Sequence, residues 1–188
     1  MNQLQISCEK NAFTNVELRL AALGDERTAA RFYLSTHSQL SSLYNMLSRL
    51  GPHEVTFVQQ VRLDDELASA KWDLSRLRLV KLDLEGGELE ALQGAQNLLD
   101  LPDPPAFLVE LNTVARADGR SAVGEVRRMF QVRHFAEFLI EASRFYLRFS
   151  LPRLGTLPED FFENLAVDAL FVKPGSTSFQ RVQPLFGK

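Results

Sequence analysis

The carboxylates of Asp83 and Glu85 stand two residues apart at the end of an apolar run and directly before Gly86-Gly87. The run from Leu77 to Leu84, interrupted by Arg78, Lys81 and Asp83, reads as a mostly buried strand. Side chains two apart on a strand point to the same side. Ligands of open α/β sheets gather at the carboxyl ends of the strands, which is where this pair would sit. Two carboxylates there are costly to bury unless something pairs with them. A cationic ligand group, a substrate hydroxyl, or a neighbouring Lys or Arg would serve. Taken alone, the pattern favours a plainer arrangement, in which the acids cap the next helix and pair with Lys81 or an arginine. Glu110 and Asn112 lie at the end of a second apolar run, Ala106 to Leu111. They would face the same cleft and could hold a substrate, or could be ordinary surface or capping groups.

Other chemistries find less support. His37, His53 and His134 have no ligand spacing, so no metal site is expected. Asp83, Glu85 and Glu110 are the kind of oxygen ligands magnesium takes, but carboxylates alone do not single it out. Cys8 is the single cysteine, which rules out an intrachain disulfide and fits a reducing, cytoplasmic compartment. It reads as a partly buried, inert thiol. The net charge of −3 gives no basic excess for nucleic acid. The densest cationic group, Arg127 and Arg128 with Arg133, reads as the solvated face of one helix. No apolar run is long enough to span a membrane, and the first residues lack a secretory pattern.

The elements that must position these residues follow from periodicity. Residues 3–10 read as the end of a helix, with Leu4 and Cys8 on one face. Val16 to Leu20 alternates as a strand and runs on to Leu23. Gly24 to Arg27 would be a hairpin connection to a strand at Ala29–Leu34. Thr36 to Pro52 reads as a loop with a short helix near Leu43–Leu50. Val55 to Leu63 alternates as a strand, and the acids of Asp64-Asp65-Glu66 suit the start of a short helix. Leu89, Leu92, Ala95 and Leu99 repeat at helical spacing until the prolines at 102, 104 and 105. Ser121 could cap a helix carrying Val123, Val126 and Phe130. Phe135–Ala142 and Leu165–Val172 read as strands, with an irregular stretch at Leu147–Glu159 between them. Strand and helix alternate through the second half, which argues for an α/β sheet with helices on its faces. One domain is expected over residues 1–175, followed by a loose tail at 176–188.

The segment Leu79-Val80-Lys81-Leu82-Asp83-Leu84-Glu85-Gly86-Gly87-Glu88-Leu89-Glu90-Ala91-Leu92-Gln93-Gly94-Ala95 resembles the hallmark of FkbM-family methyltransferases. Those carry a Lys-Ile-Asp-Val-Glu-Gly strand end, then Ala-Glu-Leu and a helix ending near Leu-x-Gly-Ala. Weaker matches fall in the same order: Ala21-Ala22-Leu23-Gly24-Asp25, Val61-Arg62-Leu63-Asp64-Asp65, Phe107 to Leu111, and Val167 to Pro174. The resemblance spans roughly residues 3–174. Gly87 departs from it, standing where the family usually has alanine.

The resemblance implies a Rossmann-like class I methyltransferase sheet, with S-adenosylmethionine as cofactor and methyl transfer to an oxygen of a sugar or small natural product. It implies Asp83 or Glu85 as the general base or the acceptor-orienting group. It further implies Asp25 and Ala22 beside the cofactor, with Glu110 and Asn112 beside the acceptor. The family's first two strands and Gly-rich turn, which would precede residue 3, have no counterpart in these 188 residues. The usual sheet order 3-2-1-4-5-7-6 would then be missing its centre. A longer upstream sequence is the expectation; repositioned strands, or self-association through an exposed sheet edge, are the alternatives. A chain that had lost its cofactor grip would serve as a non-catalytic interaction or accessory module. Acceptor choice would lie in Thr36–Glu54 and Leu147–Glu163, where Phe145, Tyr146, Phe149, Phe161 and Phe162 could line a pocket or form plain core.

Overall fold

A computed structural model describes residues 2–34, 43, 54–112, 122–141, 153–156 and 166–185. The short helix expected near Leu43–Leu50, the Ser121 cap, and the aromatic group from Phe145 to Phe162 fall outside those residues.

Eight strands and six α-helices are present among the described residues. Helix α1 (Asn2–Lys10) comes first, then β1 (Ala22–Leu23), β2 (Thr28–Leu34) and β3 (Glu54–Val61). Next are α2 (Leu63–Ala70), β4 (Leu79–Leu82), α3 (Glu88–Gln93), α4 (Gln96–Leu99) and β5 (Ala106–Asn112). The chain continues through α5 (Val123–Gln131), β6 (Ala136–Glu141), β7 (Arg153–Thr156), β8 (Ala166–Val172) and α6 (Thr177–Val182). The strands form two mixed sheets, ordered β1-β3-β2 and β4-β5-β8-β6-β7. In the larger, β4 and β5 are parallel, with Leu82 opposite Val109. The pairs β5/β8, β6/β8 and β6/β7 are antiparallel. This is the α/β architecture the alternation of elements called for.

Period-2 alternation divides the larger sheet's faces. Leu82, Phe107, Val109, Ala169 and Phe171 point one way, into the core made with Leu89, Leu92, Leu98, Leu99, Val126 and Phe130 of α3, α4 and α5. Phe130 stacks on Phe171 with ring centroids 4.0 Å apart, and meets Phe107 at 5.4 Å. Ala106, Leu170 and Val172 face the other way, under Phe179 and Val182 of α6. Residues expected as a loose tail therefore include a docked helix. Ser176 caps it by accepting the Phe179 N–H, and Asp103 accepts from both the N–H and the hydroxyl of Thr177.

Four further expectations change. Val16–Leu20 is not a strand; only Ala22–Leu23 is, because no described strand pairs with the alternating residues and Leu20 is 73% exposed. The Gly24–Arg27 turn makes no hairpin, since β1 and β2 both pair with β3, β1 in parallel and β2 antiparallel. The helix expected from Leu89 to Leu99 is two short ones, parted at Gly94-Ala95. Nor are the arginines of α5 a uniformly solvated face. Arg127 Nε donates to both Glu137 carboxylate oxygens at 2.7 and 3.0 Å, with side chains only 11% and 12% exposed. Arg133 bridges to Asp100 and Gln96.

Candidate active site

Strand β4 ends at Leu82, two residues short of the expected run, so alternation along a strand does not bring Asp83 and Glu85 together. The turn does. Glu85 takes φ +51° and Gly86 φ +98°. The left-handed region suits glycine and costs a non-glycine residue roughly 1–2 kcal/mol. Glu88 secures this turn. Its side chain is buried, and its Oε1 accepts the Leu84 N–H at 2.8 Å and the Gly86 N–H at 3.4 Å. Glu88, at the start of α3, thus also serves as a tether back into the turn.

The consequence is a tight cluster. Carboxylate oxygens of Asp83, Glu85 and Glu110 lie within 4.8 Å of one another. Extending the β4/β5 register one step past Leu82 and Val109 puts Asp83 beside Glu110, at the carboxyl ends of two parallel strands. Asp168 of β8 pairs with Glu110 on the far side. Lys81 donates to Asp83 Oδ2 at 2.5 Å, the plain partner foreseen from the sequence. Glu110 Oε2 is buried without a hydrogen-bond partner.

Electrostatics follow from this crowding. Burial, then the charges of Glu85, Asp83, Glu88 and Asp168, push the Glu110 carboxyl up to about 7. Burial, then Asp83 and Glu88, hold Glu85 above the ordinary carboxylate range. The hydrogen bond to Asp83 holds Lys81 above its usual value, with Asp168 and Glu110 adding to it.

The residues assigned to the cofactor lie on the other sheet. Ala22 is half-buried in β1, and Asp25 is exposed just beyond it, accepting from Gln60 Nε2 at 3.4 Å. A cavity of about 820 Å³ joins the two regions. Ala22, Leu23, Phe32 and Val58 line it from the small sheet, and Asp83, Leu84 and Gly87 from the β4 turn. Asn112 closes β5 opposite Ala166; its side chain lies outside the described residues.

The model of the methyltransferase FkbM domain matches residues 4–138. The chain belongs to the FkbM methyltransferase domain family. No curated protein and no solved structure matches it. In this FkbM domain the signature segment is β4, the turn and α3, and the candidate site lies where that turn meets β5. Sequence reasoning missed Glu88 and Asp168 as members. An acid directly after a glycine pair could have marked Glu88 as a turn tether. An acid within the apolar alternation of Val167 to Val172 could have marked Asp168. No helix among the described residues is long and apolar enough to cross a membrane.

Proposed function

We propose that this methyltransferase domain moves a methyl group from S-adenosylmethionine to a hydroxyl of a sugar or small natural product, with Glu110 as the group that takes the hydroxyl proton. The observation that carries this reading is the Glu110 carboxyl. It sits at a strand end with one buried, unpartnered oxygen and a pKa of about 7. A general base works best when its pKa lies near the operating pH. Asp83 and Glu85 then orient the acceptor and keep Glu110 basic by their charge. The first expectation had Asp83 or Glu85 as the base; the crowding around Glu110 supports giving that role to the residue first assigned to the substrate. Asn112 keeps its acceptor-side role as part of the same proposal.

The residues present offer part of a site for the cofactor. The cavity has the volume of an ordinary small-molecule site. It runs from Ala22 of β1, shortly before the Asp25 that would receive donors of the nucleoside, to Asp83, whose charge suits a cationic sulfonium. When bound, S-adenosylmethionine supplies an electrophilic methyl group. The chain's own task is to hold the acceptor oxygen near Glu110 and take its proton to a carboxylate oxygen, leaving Glu110 neutral. The larger sheet reads as the 4-5-7-6 half of a Rossmann-like methyltransferase sheet, since β8 lies antiparallel between β5 and β6. The chain's single cysteine supports a reducing, cytoplasmic setting.

Calorimetric titration of S-adenosylmethionine into the 188-residue chain tests the reading. Saturable binding, weakened about tenfold by Asp25→Ala, supports it; absence of heat at millimolar cofactor rules out independent activity. A second reading, an accessory module that self-associates, is favoured by one observation. Among the described residues no strand pairs with the side of β4 away from β5, and Leu79 there is 49% exposed. Sedimentation showing dimers that Leu79→Lys dissociates would support it.

A further inference from the structure

We propose that Glu88 is a positioning residue for the carboxylate cluster: by accepting the Leu84 and Gly86 N–H groups, it holds Glu85 in its left-handed backbone conformation and so fixes the Glu85 side chain beside Asp83 and Glu110. This rests on the reading that the cluster is the proton-accepting site.

Three observations meet at this residue. The Glu88 side chain is buried, at 5% exposure, although it is ionisable and begins a helix. A buried carboxylate needs strong hydrogen bonds, and those from the turn are at 2.8 and 3.4 Å. Second, the turn it grips contains Glu85 at φ +51°. A non-glycine residue in that region persists only where its surroundings over-determine it. The two N–H groups that Glu88 accepts flank Glu85 on either side, so the tether spans the strained residue. Third, Glu85 is the acid that reaches the cluster from the turn rather than from a strand. Glu110 is carried by β5 and Asp83 follows directly on the last residue of β4, and the register of these two strands is fixed by ladder hydrogen bonds. Glu85 lies three residues past the end of β4, in the turn whose N–H groups Glu88 accepts.

Glu88 therefore acts through Glu85. Losing the tether would let the turn relax toward ordinary backbone angles and swing the Glu85 carboxylate away from Glu110. Glu88 also adds charge to the cluster directly, among Asp83, Glu85, Asp168 and Lys81. A test must separate charge from positioning.

Glu88→Gln and Glu88→Ala do so in the full chain. Both remove the charge, but only alanine removes the acceptor oxygen. Carboxylate carbon NMR would follow the Glu110 midpoint, and amide exchange the Leu84 N–H. Positioning requires that the Glu110 midpoint fall further in Glu88→Ala than in Glu88→Gln, by about half a pH unit or more. Leu84 exchange should rise about tenfold in the alanine variant only. Equal midpoints and equal exchange in the two variants would overturn the proposal. Should Glu88→Ala fail to fold, the unaltered chain decides. A through-hydrogen-bond coupling between the Leu84 amide nitrogen and the Glu88 carboxylate carbon is expected, and its absence overturns the tether. None of these readings depends on turnover. A Glu110→Gln chain that transfers methyl groups at full rate would instead sink the proton-acceptor role and leave the tether standing.

Discussion

Gly94 lies so close to Gly24 that a Cβ on Gly94 would overlap the Gly24 carbonyl oxygen, and would also sit 3.3 Å from the Arg62 Cα. Both obstacles are backbone, so neither can move aside cheaply. Here the glycine of the Leu-x-Gly-Ala signature meets the end of β1. Gly94→Ala should cost about 3 kcal/mol by overpacking, read as a lower urea midpoint at unchanged slope. Gly124, in the first turn of α5, is the control: a Cβ there meets nothing within 4 Å. Gly124→Ala should leave the chain unchanged or stabilise it by about 0.5 kcal/mol.

Asp64 ties the same region from the other side. Its side chain is buried and accepts the Asn97 N–H at 2.9 Å and the Leu98 N–H at 3.1 Å, while its own N–H donates to the Gly94 carbonyl at 3.0 Å. The Leu-Asp-Asp segment thus works as a clamp on the start of α4. Asp64→Ala leaves two backbone donors without partners and should cost about 3 kcal/mol. Asp64→Asn, which retains one acceptor, should cost less. Urea denaturation of both variants checks the ranking, and equal losses would count against the two-donor clamp.

Glu110 makes stability depend on pH in a direction set by its raised folded pKa. The unfolded group titrates near its model value of 4.5 and the folded group at about 7. Between those values the folded chain holds the extra proton, so this contribution to stability falls as pH rises through that window and is level above it. Discounted for partial exposure, the loss is about 1–2 kcal/mol. Glu110→Gln cannot ionise and should flatten that part of the profile, making the variant the more stable form at pH 8. Urea unfolding from pH 4 to 8 checks this; a variant whose profile keeps the wild-type slope would refute it.

Much of this was legible because apolar spacing reports burial. The β5 and β8 runs and the helix face of Val123, Val126 and Phe130 lie where their patterns put them. The failures have specific causes. Val16 to Leu20 alternates, but alternation makes a strand only when a neighbour supplies hydrogen bonds. The hairpin across Gly24 failed because β3, from further along the chain, lies between β1 and β2 and takes the hydrogen bonds of both. The cluster itself was half legible. Local sequence placed Asp83 and Glu85 together, whereas Asp168 joins Glu110 only through antiparallel pairing across about sixty residues, which no short-range spacing encodes. The role of Glu88 was not legible because its reach back to Leu84 accompanies a left-handed Glu85, and few sequence rules foresee that at a non-glycine.

The central claim is that crowding of carboxylates at the ends of β4 and β5 makes Glu110 a proton acceptor poised near neutrality. The most direct measurement is the pH titration of the Glu110 side-chain carboxyl carbon by NMR in the full chain, assigned with Glu110→Gln. A midpoint of about 7 that falls when Glu85→Gln removes the largest neighbouring charge is the expected result. A midpoint in the ordinary carboxylate range near 4.5, indifferent to Glu85, would contradict it.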